Sequence, residues 1–238
     1  MRAPLAAGPV IPSFGQGSAC ERTNGWWCTD WLRDHWGDTL QPALLQHVEL
    51  SLIAVAVGFA IASALAIAGF RFRLVDAPVG ALADFLYTIP SLALFQLLVP
   101  LTGLTETTVE IALVSYTLLV LYRNMVEGLR GVPADVLEAA RGMGLTRVQT
   151  FVRVELPLAA PAVLAGLRIA TVSTISIATV AAFVIPKGLG EPIFVALNQN
   201  LFKTEILAAG GLAVALALTA DGVLVLAQRL LTPWSRLR

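Results

Sequence analysis

Apolar residues fill five long stretches of this chain, and polar residues cluster between them. A bilayer core takes about 20 apolar residues per helix. Five segments meet or approach that length: 48–70, 79–99, 109–122, 158–183 and 206–230. The pattern predicts an all-α, polytopic membrane protein with about five transmembrane helices. The second segment is interrupted by Pro90, which removes a backbone hydrogen bond and kinks a helix. Thr88 and Ser91 flank it and are placed to satisfy the freed carbonyls. The third segment is short and is expected to extend at either end.

The stretch between the third and fourth segments breaks the pattern. "VPADVLEAARGMGLTRVQTFVRVELPLAAP" reads as helix, turn, helix. Pro133 fits a first helical turn, where a missing N–H costs nothing. Residues 134–141 are good helix formers. Gly142 and Gly144 supply a C-terminal turn with positive φ. Thr146 caps a second helix that carries Val148, Phe151, Val152 and Leu156 toward Pro157, which ends the unit and starts the next span. Val136, Leu137, Ala140 and Met143 share one face of the first helix, with Asp135, Glu138 and Arg141 on another. Periodicity alone also fits a helix that merely lies on the membrane surface.

Composition agrees with a membrane protein. The 238 residues are 57% hydrophobic and 13% charged, about half the charge of a soluble domain, with mean hydropathy +0.77. The formal net charge is zero, so no basic field argues for nucleic acid. The charged residues do set an orientation. Arg71, Arg73, Arg123, Arg130, Arg141, Arg147, Arg153, Arg229, Arg236 and Arg238 fall on one side, and Arg2, Arg22, Arg33, Lys187 and Lys203 on the other. Ten against five puts the first set in the cytoplasm, the N-terminus outside and the C-terminus inside. The helix–turn–helix then lies in the largest cytoplasmic loop. The N-terminus, broken by Pro4, Pro9 and Pro12, does not read as a signal peptide.

Polar groups within the spans are candidates for function. Thr171, Ser173, Thr174, Ser176 and Thr179 crowd the fourth segment. Each alone fits helix–helix packing. Their density, opposite a broken helix with Thr88, Pro90, Ser91 and Phe95, points to a polar path. Asp84, Arg168 and Asp221 are intramembrane charges, which are expensive and paired or functional. Arg168 lies about 15 Å past Pro157 along a helix. Its expected partner is Asp221 or Asp84.

Residues 1–40 form a tail outside the membrane domain of 41–238. Its "CERTNGWWCTDWLRDHW" holds Trp26, Trp27, Trp31 and Trp36, which fit an interfacial aromatic belt with a flat helix over 29–35. A cation–π surface for a quaternary ammonium is the sharper alternative. Cys20 and Cys28 face an oxidising compartment, where a disulfide-closed loop and two free thiols both fit. His35 and His47 are isolated, with no metal-ligand spacing. The loop 186–205 is expected to dip back as a short external helix, in an outer gate or a contact for a delivery protein.

One spacing carries a resemblance. Glu138-Ala139-Ala140, three residues, Gly144, nine residues, Val154, one residue, then Leu156-Pro157 resembles the EAA signature of ABC-importer permeases. Val154 stands where isoleucine is commoner. The resemblance implies that residues 133–157 dock in a cleft on a separate ATP-hydrolysing subunit. Small Ala139 and Ala140 would allow close approach, Glu138 would offer a carboxylate, and Gly144 would permit the turn. It implies two permease subunits, identical or sister chains, two ATPase subunits that bind the ATP and magnesium, and an extracytoplasmic binding protein. No G-x-x-x-x-G-K-[ST] phosphate loop occurs, so this chain is expected to be no enzyme and to hold no cofactor. "YTIPSLALF" and "GLGEPIF" further resemble permeases for osmoprotectants such as glycine betaine, choline and carnitine. Amino-acid importers share the core, and a passive channel or scaffold is the alternative of another class.

Overall fold

The computed structural model describes residues 19–199 and 201–234, and the described residues form helices without strands. Arg2, Arg236 and Arg238 of the charge count, and residues 1–18, lie outside them. In chain order the helices are α1 (Ala19–Thr23), α2 (Thr29–Asp34), α3 (Gln41–Arg71), α4 (Arg73–Thr88), α5 (Ser91–Thr102), α6 (Glu106–Arg130), α7 (Ala134–Gly142), α8 (Arg147–Thr150), α9 (Leu156–Ala178), α10 (Gly190–Gln199) and α11 (Lys203–Leu231). A π turn, Trp36–Leu40, leads into α3, and a 3₁₀ turn, Thr179–Phe183, follows α9.

Four continuous helical stretches are long and apolar enough to cross a membrane: Trp36–Arg71, Glu106–Arg130, Arg147–Phe183 and Lys203–Leu231. A fifth apolar stretch is α4 with α5, bent by 102° at their junction. The single kinked helix expected over 79–99 is therefore two helices. Ile89, ahead of Pro90, is extended at φ −73°, ψ 126°, because the proline ring excludes the α region from the preceding residue. The third crossing runs well past the apolar core read from sequence, because polar Glu106, Glu110, Arg123 and Arg130 lie on the same helix.

α6 is the central post, packed against α3 and α9, with α4 and α5 along its length and α11 behind α9. Small residues set these approaches, as expected where lipid and side chains are equally apolar. A Cβ added at Gly58 of α3 would stand 1.9 Å from the Thr117 hydroxyl of α6. Leu50, Ala54, Phe95, Val109, Leu113 and Ala178 fill one core cluster near the break, and Ala62, Leu121, Tyr122 and Ala170 a second.

The loop between α6 and α9 departs from expectation at its end. Pro157 does not terminate the second helix. α8 continues through a π turn, Phe151–Glu155, straight into α9. Pro157 cannot donate to the carbonyl four residues back, and the wider turn before it accommodates the missing bond. Gly142 also differs: it closes α7 in helical geometry, and only Gly144 takes positive φ, at 80°.

The tail is pinned to the bundle. Cys20 and Cys28 form a disulfide. The loop it closes presents Asn24, whose side chain accepts from the Lys203 N–H at 3.0 Å and donates to the Leu201 carbonyl at 3.2 Å. Thr204 donates to the Gly25 carbonyl at 3.1 Å. The tail thus caps the start of α11. Trp31 is not part of a belt: it is buried, stacked on His35 and edge-on to Phe202. Trp26, Trp27 and Trp36 remain exposed, with the Lys203 ammonium 4.9 Å from the Trp26 ring.

Candidate functional site

At the end of the bundle away from the disulfide, residues 134–150 form a projecting helical hairpin. The residues dictate its shape. Gly144 N–H donates to the Arg141 carbonyl at 2.9 Å and Leu145 N–H to the Ala140 carbonyl at 3.2 Å. These two bonds are a Schellman closure, which needs a left-handed residue at Gly144. One residue later Thr146 starts α8 with a capping box: its hydroxyl accepts from the Gln149 N–H, and the Gln149 side chain accepts from the Thr146 N–H at 2.8 Å. Two helices are thereby joined through a closed turn of four residues, Met143 to Thr146.

The hairpin offers most of its surface outward. Only Ala140 and Thr150 are buried between residues 134 and 150. Glu138, Ala139, Arg141 and Gly144 are exposed, Met143 and Val148 each at 72%. A Cβ at Gly144 would meet nothing within 4 Å. Leu156 is exposed and Pro157 half-buried. A cleft of about 1030 Å³ separates the hairpin from the end of α3, lined by Ala68, Arg71, Arg141, Leu145, Phe151 and Glu155 among others. The structure brings Glu138, Ala139, Ala140 and Gly144 into one compact unit, with Leu156 and Pro157 on the following helix.

The other singled-out residues separate into surface and core. Thr88, exposed at the break, donates to the Phe85 carbonyl at 2.7 Å. Pro90 is exposed and Ser91 half-buried. The Ile89 carbonyl freed by the break accepts from the Tyr116 hydroxyl, a partner that no sequence pattern indicates. Phe95 and Thr174 reach no surface of this chain: Phe95 is in the core at 0% exposure, and Thr174 is buried, donating to the Ala170 carbonyl at 2.7 Å. Thr171 is half-buried and donates to the Leu167 carbonyl at 2.8 Å.

The intramembrane charges are paired. Arg168 grips Asp221 with both arms, Nε to Oδ1 at 2.8 Å and Nη2 to Oδ2 at 3.1 Å, which ties α9 to α11. Asp84 is not its partner; it pairs with Arg123 of α6. Near the Arg130 end of α6, Asp76 is held by the Tyr122 hydroxyl at 2.7 Å and Arg130 at 2.8 Å.

At the opposite end, Lys187 spans Glu106 at 2.9 Å and Glu49 at 3.3 Å. Its hydrogen bond to Glu106 holds the ammonium above the usual lysine range. A cleft of about 650 Å³ lies beside this link, with Gln46, Glu49, Thr105, Glu106 and Lys187 in its wall. His47, isolated in sequence, is a packing node in space. It is fully buried, with Nε2 3.0 Å from the Ile175 carbonyl, while Nδ1 accepts from the Leu189 N–H at 3.2 Å. A carbonyl only accepts, so Nε2 carries the hydrogen. Apart from α10, expected as the external helix, none of these contacts of the loop before α10 has a sequence signal, because each joins residues far apart in the chain.

The sequence family described as the binding-protein-dependent transport system inner membrane component matches residues 54–236. The chain belongs to that family. It is a multi-pass permease component, and its fold agrees. A solved structure of the MetNI methionine ABC transporter in an inward-facing conformation superposes with a TM-score of 0.65, covering 84% of this permease and 96% of that chain at 17% identity. Among curated relatives, the choline transport system permease protein OpuBB of Bacillus subtilis (strain 168) is 38% identical over 189 residues, 79% of this permease and 86% of that protein. The glycine betaine/carnitine/choline transport system permease protein OpuCB of the same organism is 36% identical over the same shares of each.

Proposed function

We propose that this permease is the membrane subunit of an ATP-driven importer for osmoprotectants of the choline, glycine betaine and carnitine type. The relatives at 36–38% identity over 79% of the chain support that solute class. The structural neighbour at 17% identity bears on the fold and not on the cargo. The observation that carries the coupling role is the exposed hairpin of 134–150, whose backbone is closed by a Schellman turn and a capping box at a four-residue joint.

In this reading the hairpin seats in a separate ATPase subunit, which holds the ATP and magnesium. Glu138 meets a basic group of that partner, and Ala139 allows the backbone to approach. Because α8 runs without a break into α9, movement of the hairpin is delivered to the fourth crossing as a rigid body. The N-terminus and the Lys187 loop face outward, toward a solute-delivering binding protein, and the C-terminus faces the cytoplasm. A second permease subunit, a copy or a sister chain, completes the path. Thr88, Pro90 and Ser91 at the broken helix line it, since irregular backbone at membrane depth is stable only against protein or water.

The experiment is uptake of labelled choline and glycine betaine by cells carrying E138A or E138R in the chromosomal copy. Lost uptake with normal membrane insertion supports the coupling role. Unchanged uptake in E138R refutes it.

A further inference from the structure

Arg123 lies within the α6 crossing and not in a loop, as its place in the charge count implied, and its pair with Asp84 differs from the other charge pairs among the described residues. Asp76 is saturated by two donors, and Arg168 and Asp221 are joined through two bonds. Asp84 and Arg123 share a single contact, and their side chains are 51% and 49% exposed. Such a pair is too costly to leave facing lipid. The face it occupies is therefore lined by water or protein in the working transporter. A second observation falls on the same face. One turn further along α4 the helix breaks at Ile89–Pro90, and Tyr87 and Thr88 are exposed beside the break. Tyr87 lies three residues from Asp84, the spacing of neighbours on a helix surface. Its ring is half exposed, braced edge-on by Tyr116 at 5.9 Å.

An acid, a base with unused donors and an aromatic ring are thus gathered on one polar face. We propose that Asp84, Arg123 and Tyr87 form a transit site for zwitterionic quaternary-ammonium solutes. The solute's carboxylate accepts hydrogen bonds from Arg123, whose fork matches it. Its ammonium lies between the Asp84 carboxylate and the Tyr87 ring, by charge and cation–π attraction. The protein pair opens as the solute's two charges replace it, so the site is filled without leaving a bare charge at membrane depth. A solute with only a cation needs Asp84 and Tyr87 but not Arg123. The inference rests on the solute class proposed above.

The test is uptake of labelled glycine betaine and choline by cells carrying R123Q or R123K in the chromosomal copy, with permease levels in the membrane measured by immunoblot. R123Q is expected to cut glycine betaine uptake by about tenfold, the scale of a lost charged hydrogen bond, and to leave choline uptake within about threefold. R123K, which keeps the charge without the fork, is expected to fall between for glycine betaine. If R123Q fails to reach the membrane, R123K is read alone, with a selective loss for glycine betaine expected. Equal losses for both solutes, which a packing role or burial against a second subunit would produce, overturn the inference. So does no loss for either. Where wild-type cells carry only the zwitterion, a graded loss from R123K to R123Q at unchanged membrane level is the expected result, and an ungraded one overturns it. Wild-type cells that take up neither solute refute the solute class itself, and the inference falls with it.

Discussion

Replacing Gly144 isolates the hairpin's geometry from everything else in the permease. Its φ is 80° and a Cβ there would touch nothing within 4 Å. A side chain at this position thus meets no steric wall, and its cost is the left-handed backbone alone, about 1–2 kcal/mol for an L-residue. That corresponds to a factor of roughly 5 to 30 in the population of the closed turn. Asparagine tolerates the left-handed region and should lose least, alanine more, and β-branched valine most. The bonds at stake are Gly144 N–H to Arg141 and Leu145 N–H to Ala140, both within the hairpin itself. Insertion and thermal stability of the bundle should therefore stay unchanged across the series. ATP-driven uptake should fall in the order Gly, Asn, Ala, Val. Uptake in G144V equal to wild type would falsify the claim that this turn aims the hairpin into its partner. A loss of stability that tracks the loss of uptake would reassign Gly144 to folding.

Other expectations follow from the packing. Gly58→Val places side-chain atoms where Thr117 already stands, with its Oγ1 1.9 Å from the added Cβ. It should destabilise the permease by about 1–3 kcal/mol, seen as a lower melting temperature in detergent; an unchanged melt would mean that α3 and α6 are less tightly apposed. Arg168→Asp and Asp221→Arg should each impair assembly, because each leaves like charges facing across α9 and α11, and the double exchange should restore it. Failure of the exchange while the single variants are impaired would reject a simple pair. The Lys187 link should hold the loop before α10 to α3 and α6 from neutral pH up to the ordinary lysine pKa of about 10.4 and loosen as pH rises through the raised value of the folded protein. Hydrogen exchange of residues 185–189 reads this directly: K187M should speed it at neutral pH, and equal protection in both proteins would contradict the link.

Much of the architecture is legible because membrane burial imposes a length and a hydropathy that sequence displays. The apolar stretches at 48–70, 158–183 and 206–230 lie within Trp36–Arg71, Arg147–Phe183 and Lys203–Leu231. The hairpin is legible for a different reason: Gly144, Thr146 and Gln149 act on backbone groups within a few residues of themselves. What sequence hides is pairing at a distance. Arg168 had two possible carboxylates, and only the packing of α9 on α11 selects Asp221. His47 shows no motif, yet it joins α3 to α9 and to the loop before α10. Pro90 announces a kink, but neither the 102° bend nor the Tyr116 hydroxyl that takes the freed Ile89 carbonyl shows in the pattern. Pro157 reads as a stop, and the π turn before it lets the helix run on. Phe95 and Thr174 read as path residues from their neighbours, and their facing turns them into the core.

The most direct test of the account is to purify the permease from its own membrane with whatever it holds. An ATPase should come with it, and its hydrolysis should rise when a binding protein loaded with choline or glycine betaine is added, but not with E138R or G144V. A permease that purifies without an ATPase, or with one indifferent to those two substitutions, would contradict the coupling role of the hairpin.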